Sequence, residues 1–471
     1  MPLRQLRFTA SDAVVEAGLE KIREERRIPE GFSSEVIGEV NAIKPTLPER
    51  DATDIPFVTI DPPGSRDLDQ ALHLSRRSGG YTVSYAIADV GAFVRPGTAI
   101  DAEAWERGQT LYAPDLRTPL YPEELSEGRA SLLPDRDRPA ILWEVDLDER
   151  GEIEDGRVER ALVRSRIQLT YEEAQHQVDS GTASASLRLL PEIGRLRKLL
   201  ERDRGAVSLN IPEQLVVKRD GGWGLVFRAP LPVENWNAQL SLLTGIFAAT
   251  MMVDAGIGIL RTLPVADPGR LERLRRIANG LEIAWPGSVS YPELIRSLDP
   301  RIPTHAAFQA EATSLFAGAG YQTILGAVEP LPHAALATIY AHTTAPLRRL
   351  VDRYAGEACL AISAGLEVPD AVVEALPRLP ETMARSATRA GQYEAECVNL
   401  VEAALMSTRV GEIFPGVVVE TDDKRSRGEV QLGDSAILST VEGEGLDLGD
   451  QVLVRVEEAS VAERRVRFQI A

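Results

Sequence analysis

At 471 residues, 44% of them hydrophobic and 26% charged, the chain has the composition of an ordinary globular protein of two or three domains with ample material for a large core. Its formal net charge of −19 excludes a general attraction to polyanions, so a nucleic-acid partner would have to be drawn into a local basic channel. Cys359 and Cys397 supply neither a disulfide framework nor a zinc site by themselves and read as buried thiols. The amino terminus has no hydrophobic signal core, and no apolar run reaches the roughly 18 residues of a membrane span. A cytoplasmic protein without a membrane partner is expected.

In chain order, Ser11 and Asp12 can cap a helix with Val14, Val15, Leu19 and Ile22 at helical spacing, ending before Pro29. A second short helix is expected over 34–43, stopped by Pro45 and Pro48. Arg23, Arg26 and Arg27 on the first fit either a helix-turn-helix-like nucleic-acid module or a solvated face. Ile55, Phe57, Val58 and Ile60 then read as a strand that breaks at Asp61-Pro62-Pro63-Gly64.

The loop that follows, TIDPPGSRDLDQAL at 59–72, carries Asp61, Asp67 and Asp69. Spaced two apart, Asp67 and Asp69 leave one face if the chain is extended. Carboxylates held this close raise one another's pKa unless a cation lies between them. All-oxygen ligands favour Mg²⁺ or Mn²⁺ over zinc. A solvated acidic turn is the competing reading. Beyond it, 81–89 (YTVSYAIAD) is expected as a central strand, and the segment with Pro114, Pro119, Pro122 and Pro134 as a long ordered loop. Residues 235–252 read as a core helix and 386–406 as a long amphipathic one. From 410 onward, short alternating strands with glycine-bearing turns signal a small closed barrel.

The succession of TID…RDLDQAL, AIADVGAFVRPGTAIDAEAWERGQTLY, LYPEELSEGRASLLP, SRIQLTYEEA, RGAVSLNIPE, LRTLPVADP and YAHTTAPLRRLVDRY resembles the catalytic domain of the ribonuclease II (RNB-type) exoribonucleases. The resemblance implies an α+β chain: a small helical module at 1–50, an RNB-type catalytic domain at 51–408 and an OB-type RNA-binding barrel at 409–471. It implies a monomeric hydrolase that threads single-stranded RNA into a channel and releases nucleoside 5′-monophosphates from the 3′ end with Mg²⁺, or Mn²⁺ as substitute. Asp61 and Asp67 then fall on metal positions, and Asp69 on the carboxylate most tied to catalysis. The family pattern has a fourth acid where this chain has Gln70, whose amide oxygen is a neutral, weaker metal ligand.

By the same resemblance Arg348 neutralises the scissile phosphate, and Arg349 follows it in phosphate or structural contact. Tyr112 would pack on the last nucleotide, and Glu394, with Glu396 as the other alignment, would meet the substrate end. The aromatic often found near Leu209 is leucine here. His342 reads as a packing or hydrogen-bonding residue and not as a base. Lys424, Arg425 and Arg427 would carry RNA contact on an otherwise acidic barrel. Two further barrels common ahead of the catalytic domain have no counterpart in the 50 residues that precede it. Gln70 keeps open a catalytically weakened RNA-binding member, or an acidic scaffold protein.

Overall fold

The structure, a computed structural model, describes residues 12–207, 213–219, 222–228, 230–299, 302–422, 427–432 and 437–471. Ser11, Leu209, Lys424 and Arg425, which figure in the expectations above, lie outside the described residues.

Two helices, α1 (Asp12–Arg26) and α2 (Ser34–Ala42), lead into a six-stranded sheet. Its strands are β1 (Arg50–Asp51), β2 (Phe57–Asp61), β3 (Gln70–Arg77), β4 (Gly80–Ala88), β7 (Asp137–Asp148) and β8 (Ile153–Thr170), in the order β1-β8-β2-β3-β4-β7. At 18 residues β8 is long enough to serve both ends of the sheet. Its first part pairs antiparallel with β7 and its last part runs parallel to β2, so the sheet curls back on itself. Strand β4, the expected central one, is buried along almost its whole length, as a strand covered on both faces must be.

Between β4 and β7 lie α3 (Ala99–Arg107) and the short hairpin β5 (Leu111–Tyr112) and β6 (Arg117–Thr118). The expected proline-rich loop is therefore not structureless. It also holds a π-helical turn at Glu124–Arg129, since Pro119 and Pro122 bound these pieces without entering them.

After β8, Thr170 caps α4 (Tyr171–Ser180) in a reciprocal box with Glu173. Then follow α5 (Leu190–Asp203), the hairpin β9 (Glu213–Arg219) and β10 (Gly222–Arg228), and α6 (Pro232–Asp254). By length and composition α6 passes as a membrane span, which corrects the expectation that no segment would. It is a core helix instead: 56% of its apolar window is buried, and Leu240, Leu243, Ala248 and Met252 join the main hydrophobic core.

Strands β11 (Ile257–Thr262) and β12 (Gly320–Leu325) pair antiparallel. Between them, α7 (Pro268–Gly280), α8 (Tyr291–Ser297) and α9 (Pro303–Ala312) enclose a satellite core around Leu274, Ile277, Leu294 and Phe308. The chain returns through α10 (Leu350–Ser363), α11 (Asp370–Ala375) and the 28-residue α12 (Leu379–Met406), which starts ahead of the expected 386. Strands β13 (Ile413–Asp422), β14 (Arg427–Leu432), β15 (Leu438–Glu442), β16 (Gln451–Ser460) and β17 (Arg465–Ile470) close into a five-stranded barrel of the OB type. The α+β architecture with a terminal barrel is thus as expected.

The first two helices do not share a core of their own. Val15, Leu19 and Ile22 of α1 pack with Tyr393, Cys397 and Leu400 of α12, while Val36 and Val40 of α2 enter the main core. Two of the three arginines of the expected nucleic-acid face are spent on protein: Arg23 pairs with Asp115, and Arg26 with Glu396. Both cysteines are buried and free.

Leu68, fully buried between Asp67 and Asp69, anchors the acidic loop in the main core. Truncation to alanine should cost about 3 kcal/mol, read as a lowered denaturant midpoint of Leu68→Ala. An unchanged midpoint would show that the loop is not held by this side chain.

Candidate active site

The acidic loop is built by local rules and then clipped down. After β2 ends at Asp61, Pro62-Pro63-Gly64 makes a turn closed by the Ser65 N–H on the Pro62 carbonyl (3.2 Å), with Gly64 at φ +81°. Proline before a positive-φ glycine is what such a turn requires. The Ser131 hydroxyl donates to the Arg66 carbonyl (2.5 Å) and accepts the Leu68 N–H (2.9 Å), while the Leu132 and Ala88 N–H groups donate to the Leu68 and Asp69 carbonyls. A loop fastened on both sides presents its carboxylates in fixed positions.

The second half of the site arrives from the segment before α10. The Leu347 N–H donates to Asp69 Oδ1 at 2.8 Å, and Arg348 Nε lies 3.6 Å from Asp69 Oδ2. The Arg348 side chain keeps 45% of its surface exposed, whereas that of Asp69 keeps 7%. This segment is itself braced by buried Asp352, which accepts the Ala345 N–H (2.7 Å) and a two-pronged pair of bonds from Arg349 (2.9 Å each). Gln70 completes the brace: its amide nitrogen donates to the Thr344 carbonyl (2.7 Å), and its oxygen accepts from the Tyr85 hydroxyl (2.6 Å).

Burial dominates the electrostatics. It pushes the Asp69 carboxyl up to about 8, with Arg348 and the Leu347 N–H pulling down and Asp67 and Asp352 pushing further up. Asp61 is raised to about 7, first by burial and then by the charge of Asp67. Asp61 Oδ2 is buried without a hydrogen-bond partner among the described residues; the Thr59 hydroxyl is near enough to temper the acid but is not in bonding geometry. Tyr171, at the start of α4, is raised to about 12, by burial first and then by Asp61.

Among the described residues no three His, Cys, Asp or Glu side chains form a ready-made metal cage. What fits a hard divalent cation is the pair of desolvated carboxylates, Asp61 with its orphan oxygen and Asp69, both of which a cation would stabilise in the charged form. Asp67 is held by Arg117, Nη1 to Oδ1 at 2.5 Å. Gln70, the expected fourth ligand, has its amide nitrogen on the Thr344 carbonyl and its oxygen on the Tyr85 hydroxyl. Arg349, expected in phosphate or structural contact, spends its guanidinium on Asp352.

Tyr112 on β5 is 49% exposed, and Arg348, Asp67 and Asp69 all act on its hydroxyl after burial raises it. Glu394 is exposed on α12. The alternative, Glu396, is bound to Arg26 and Arg464. His342 accepts or donates at Nδ1 to the Tyr321 hydroxyl (2.8 Å) and is driven well toward its neutral form, by burial above all and then by nearby arginines, which suits packing and not proton transfer. Sequence reasoning missed Arg117, Tyr85 and Asp352. Only Asp352 left a signal, three residues beyond Arg349 on a helix.

A curled mixed sheet, an acidic loop at the end of one strand, a facing arginine segment and a terminal barrel define the class first, that of the exoribonuclease-type hydrolases. The chain belongs to the RNB-domain family: residues 49–358 match the RNB domain, and residues 412–471 match the RNase II-type exonuclease C-terminal S1 domain. It is 26% identical over 492 residues to Ribonuclease R of Aquifex aeolicus (strain VF5), covering 94% of this chain and 68% of that protein. The same identity over 507 residues relates it to Ribonuclease R of Escherichia coli (strain K12), covering 94% and 60%. The chain thus spans only about two thirds of the length of these relatives. Among solved structures it shares the fold of Mycoplasma genitalium RNase R in complex with ribose methylated single-stranded RNA, with a TM-score of 0.86, 19% identity and coverage of 97% and 78%. It also shares the fold of yeast Ssd1, a pseudonuclease, with a TM-score of 0.68, 16% identity and coverage of 93% and 57%.

Raised carboxyl pKa values carry a pH dependence of definite sign. In metal-free protein, Asp61 and Asp69 hold protons up to about 7 and 8 when folded and lose them near the ordinary carboxylate value of 3.8 when unfolded. The folded state binds more protons in that window, so their contribution to stability is full below pH 4 and lost as pH rises through 8. The melting temperature measured in EDTA should therefore fall between pH 5 and 8.5 more steeply in wild type than in Asp69→Asn. Equal slopes would rule out a buried, proton-holding Asp69.

Proposed function

We propose that this chain hydrolyses single-stranded RNA processively from the 3′ end and releases nucleoside 5′-monophosphates, with Mg²⁺ as the working ion and Mn²⁺ as a substitute. The observation that carries the reading is the convergence on Asp69 of a backbone N–H and an exposed arginine from the segment of Leu347 and Arg348. A structural ion pair has no need of a half-exposed guanidinium; a phosphate-binding site does.

A divalent cation at Asp61 and Asp69 would supply Lewis acidity to the phosphate and a bound water of lowered pKa. The chain's own groups do the rest. Arg348 has donors to spare beyond the Nε that faces Asp69, and it offers a planar fork to the non-bridging oxygens as their charge grows. The Leu347 N–H holds Asp69 Oδ1, leaving Oδ2 as the oxygen directed at the reacting centre. Tyr112, exposed beside Arg348, stacks on the terminal base without regard to its identity. Arg427 on β14 guides the strand by charge.

One observation favours a second reading. Gln70 stands neutral where the resemblance calls for an acid, and its amide is tied into the fold; a catalytically weakened RNA binder would tolerate that. Incubation of 5′-labelled single-stranded RNA with Mg²⁺ or Mn²⁺ separates the two. Stepwise 3′ shortening is expected, reduced about 1000-fold or more in Asp69→Asn with RNA affinity kept within about threefold, because an uncharged isostere leaves the channel intact. Arg348→Ala should lose about 100-fold or more in kcat. Tight binding with no shortening in either ion would favour the second reading, and full activity in Asp69→Asn would sink the first.

A further inference from the structure

Among the described residues, Arg117 is the cation already seated on the acidic loop's central carboxylate. It stands on β6 directly across from Tyr112 in the short β5–β6 hairpin, which is closed by the Ala113 N–H on the Leu116 carbonyl (2.9 Å). Its Nη1 lies 2.5 Å from Asp67 Oδ1, and the side chains are only 25% and 14% exposed. Its Nη2 rests on Glu127 of the π-helical turn, which is also 3.6 Å from Arg66. Asp67 in turn acts electrostatically on both Asp61 and Asp69, so it lies near both carboxylates that fit a cation.

We propose that Arg117 is a built-in rival of the divalent cation for the Asp67 carboxylate, and that loading the site with metal requires its guanidinium to give up Asp67 and stay on Glu127. On Asp67 Oδ1 the guanidinium already draws on the negative charge that a metal would use. A unit positive charge a few ångströms from the ligands also opposes the incoming ion. Glu127 supplies the second seat that keeps the displaced arginine beside the site, next to Tyr112, with its Nη1 donors turned loose. The device sets the metal affinity of the site from within the chain. It rests on the proposed nuclease function for its purpose but not for its measurement.

The test reads metal binding itself. Metal-free full-length protein is titrated with Mn²⁺, and free Mn²⁺ is followed by its electron paramagnetic resonance signal. Arg117→Val should bind Mn²⁺ at least about fivefold tighter than wild type, since ligand charge sets affinity at such sites. Arg117→Gln, which keeps polar contact with Glu127, should move the same way. Arg117→Lys, which keeps the charge, should stay within about twofold. In an Asp67→Asn background, replacing Arg117 should change affinity by less than about twofold, because the shared carboxylate is gone. Unchanged affinity in Arg117→Val, or equal tightening with and without Asp67, would overturn the rivalry. If Arg117→Val binds as wild type does and both degrade RNA, only this inference fails. Tighter Mn²⁺ binding without RNA shortening in any variant would leave it standing and remove the nuclease reading. Absence of Mn²⁺ binding in wild type and variants alike would remove both.

Discussion

The site depends on one constraint: a buried carboxylate, Asp69, that is captured by a peptide N–H and an arginine 278 and 279 residues away in the chain. Burying a carboxyl group is unfavourable unless its oxygens are satisfied. The Leu347 N–H satisfies one and Arg348 faces the other, and burial still raises the group to about 8. That residual discomfort gives the site its appetite for positive charge, and it fixes where the segment of Thr343 to Leu347 must lie. The rest of the architecture serves this apposition. The acidic loop is pinned through Ser131 and Leu68, and the arginine segment through Asp352 and Gln70.

Gln70 shows how a neutral side chain alters such a centre without emptying it. An amide can donate and accept at once, and here it links β3, Tyr85 on β4 and the Thr344 carbonyl. An acid in that place could not donate to Thr344 while ionised. The chain therefore gives up a charge and obtains a clamp. The same economy is seen at Arg349, whose fork locks Asp352 and leaves Arg348 as the outward-facing member of the pair.

The acids were legible in the sequence for a physical reason, since they sit in a short stretch whose proline and glycine dictate the local path; the arginine's place opposite them was legible only through the resemblance. Asp61, Asp67, Asp69, Tyr112 and Arg348, the last two named through the resemblance alone, lie close enough to act on one another's charge. What was not legible depends on partners distant in sequence. Gln70 reads as a poor ligand until Thr344 is found beside it, 274 residues on. Arg117 sits in a proline-rich stretch with no periodicity to say which way it turns. Helical spacing showed an apolar face on α1 but not that α1 and α2 meet different cores. In α6, composition resembles a membrane span because a helix buried in protein and one buried in lipid select the same residues.

The distance between the two halves of the site has a consequence for synthesis. A ribosome extends a chain from the amino terminus, so the curled sheet and its acidic loop can form well before Leu347 and Arg348 emerge. Until then Asp69 has neither of its captors. If the proposed function holds, the site stays incomplete for most of the time the chain spends attached to its own message, and it is assembled only when α10 has left the exit tunnel.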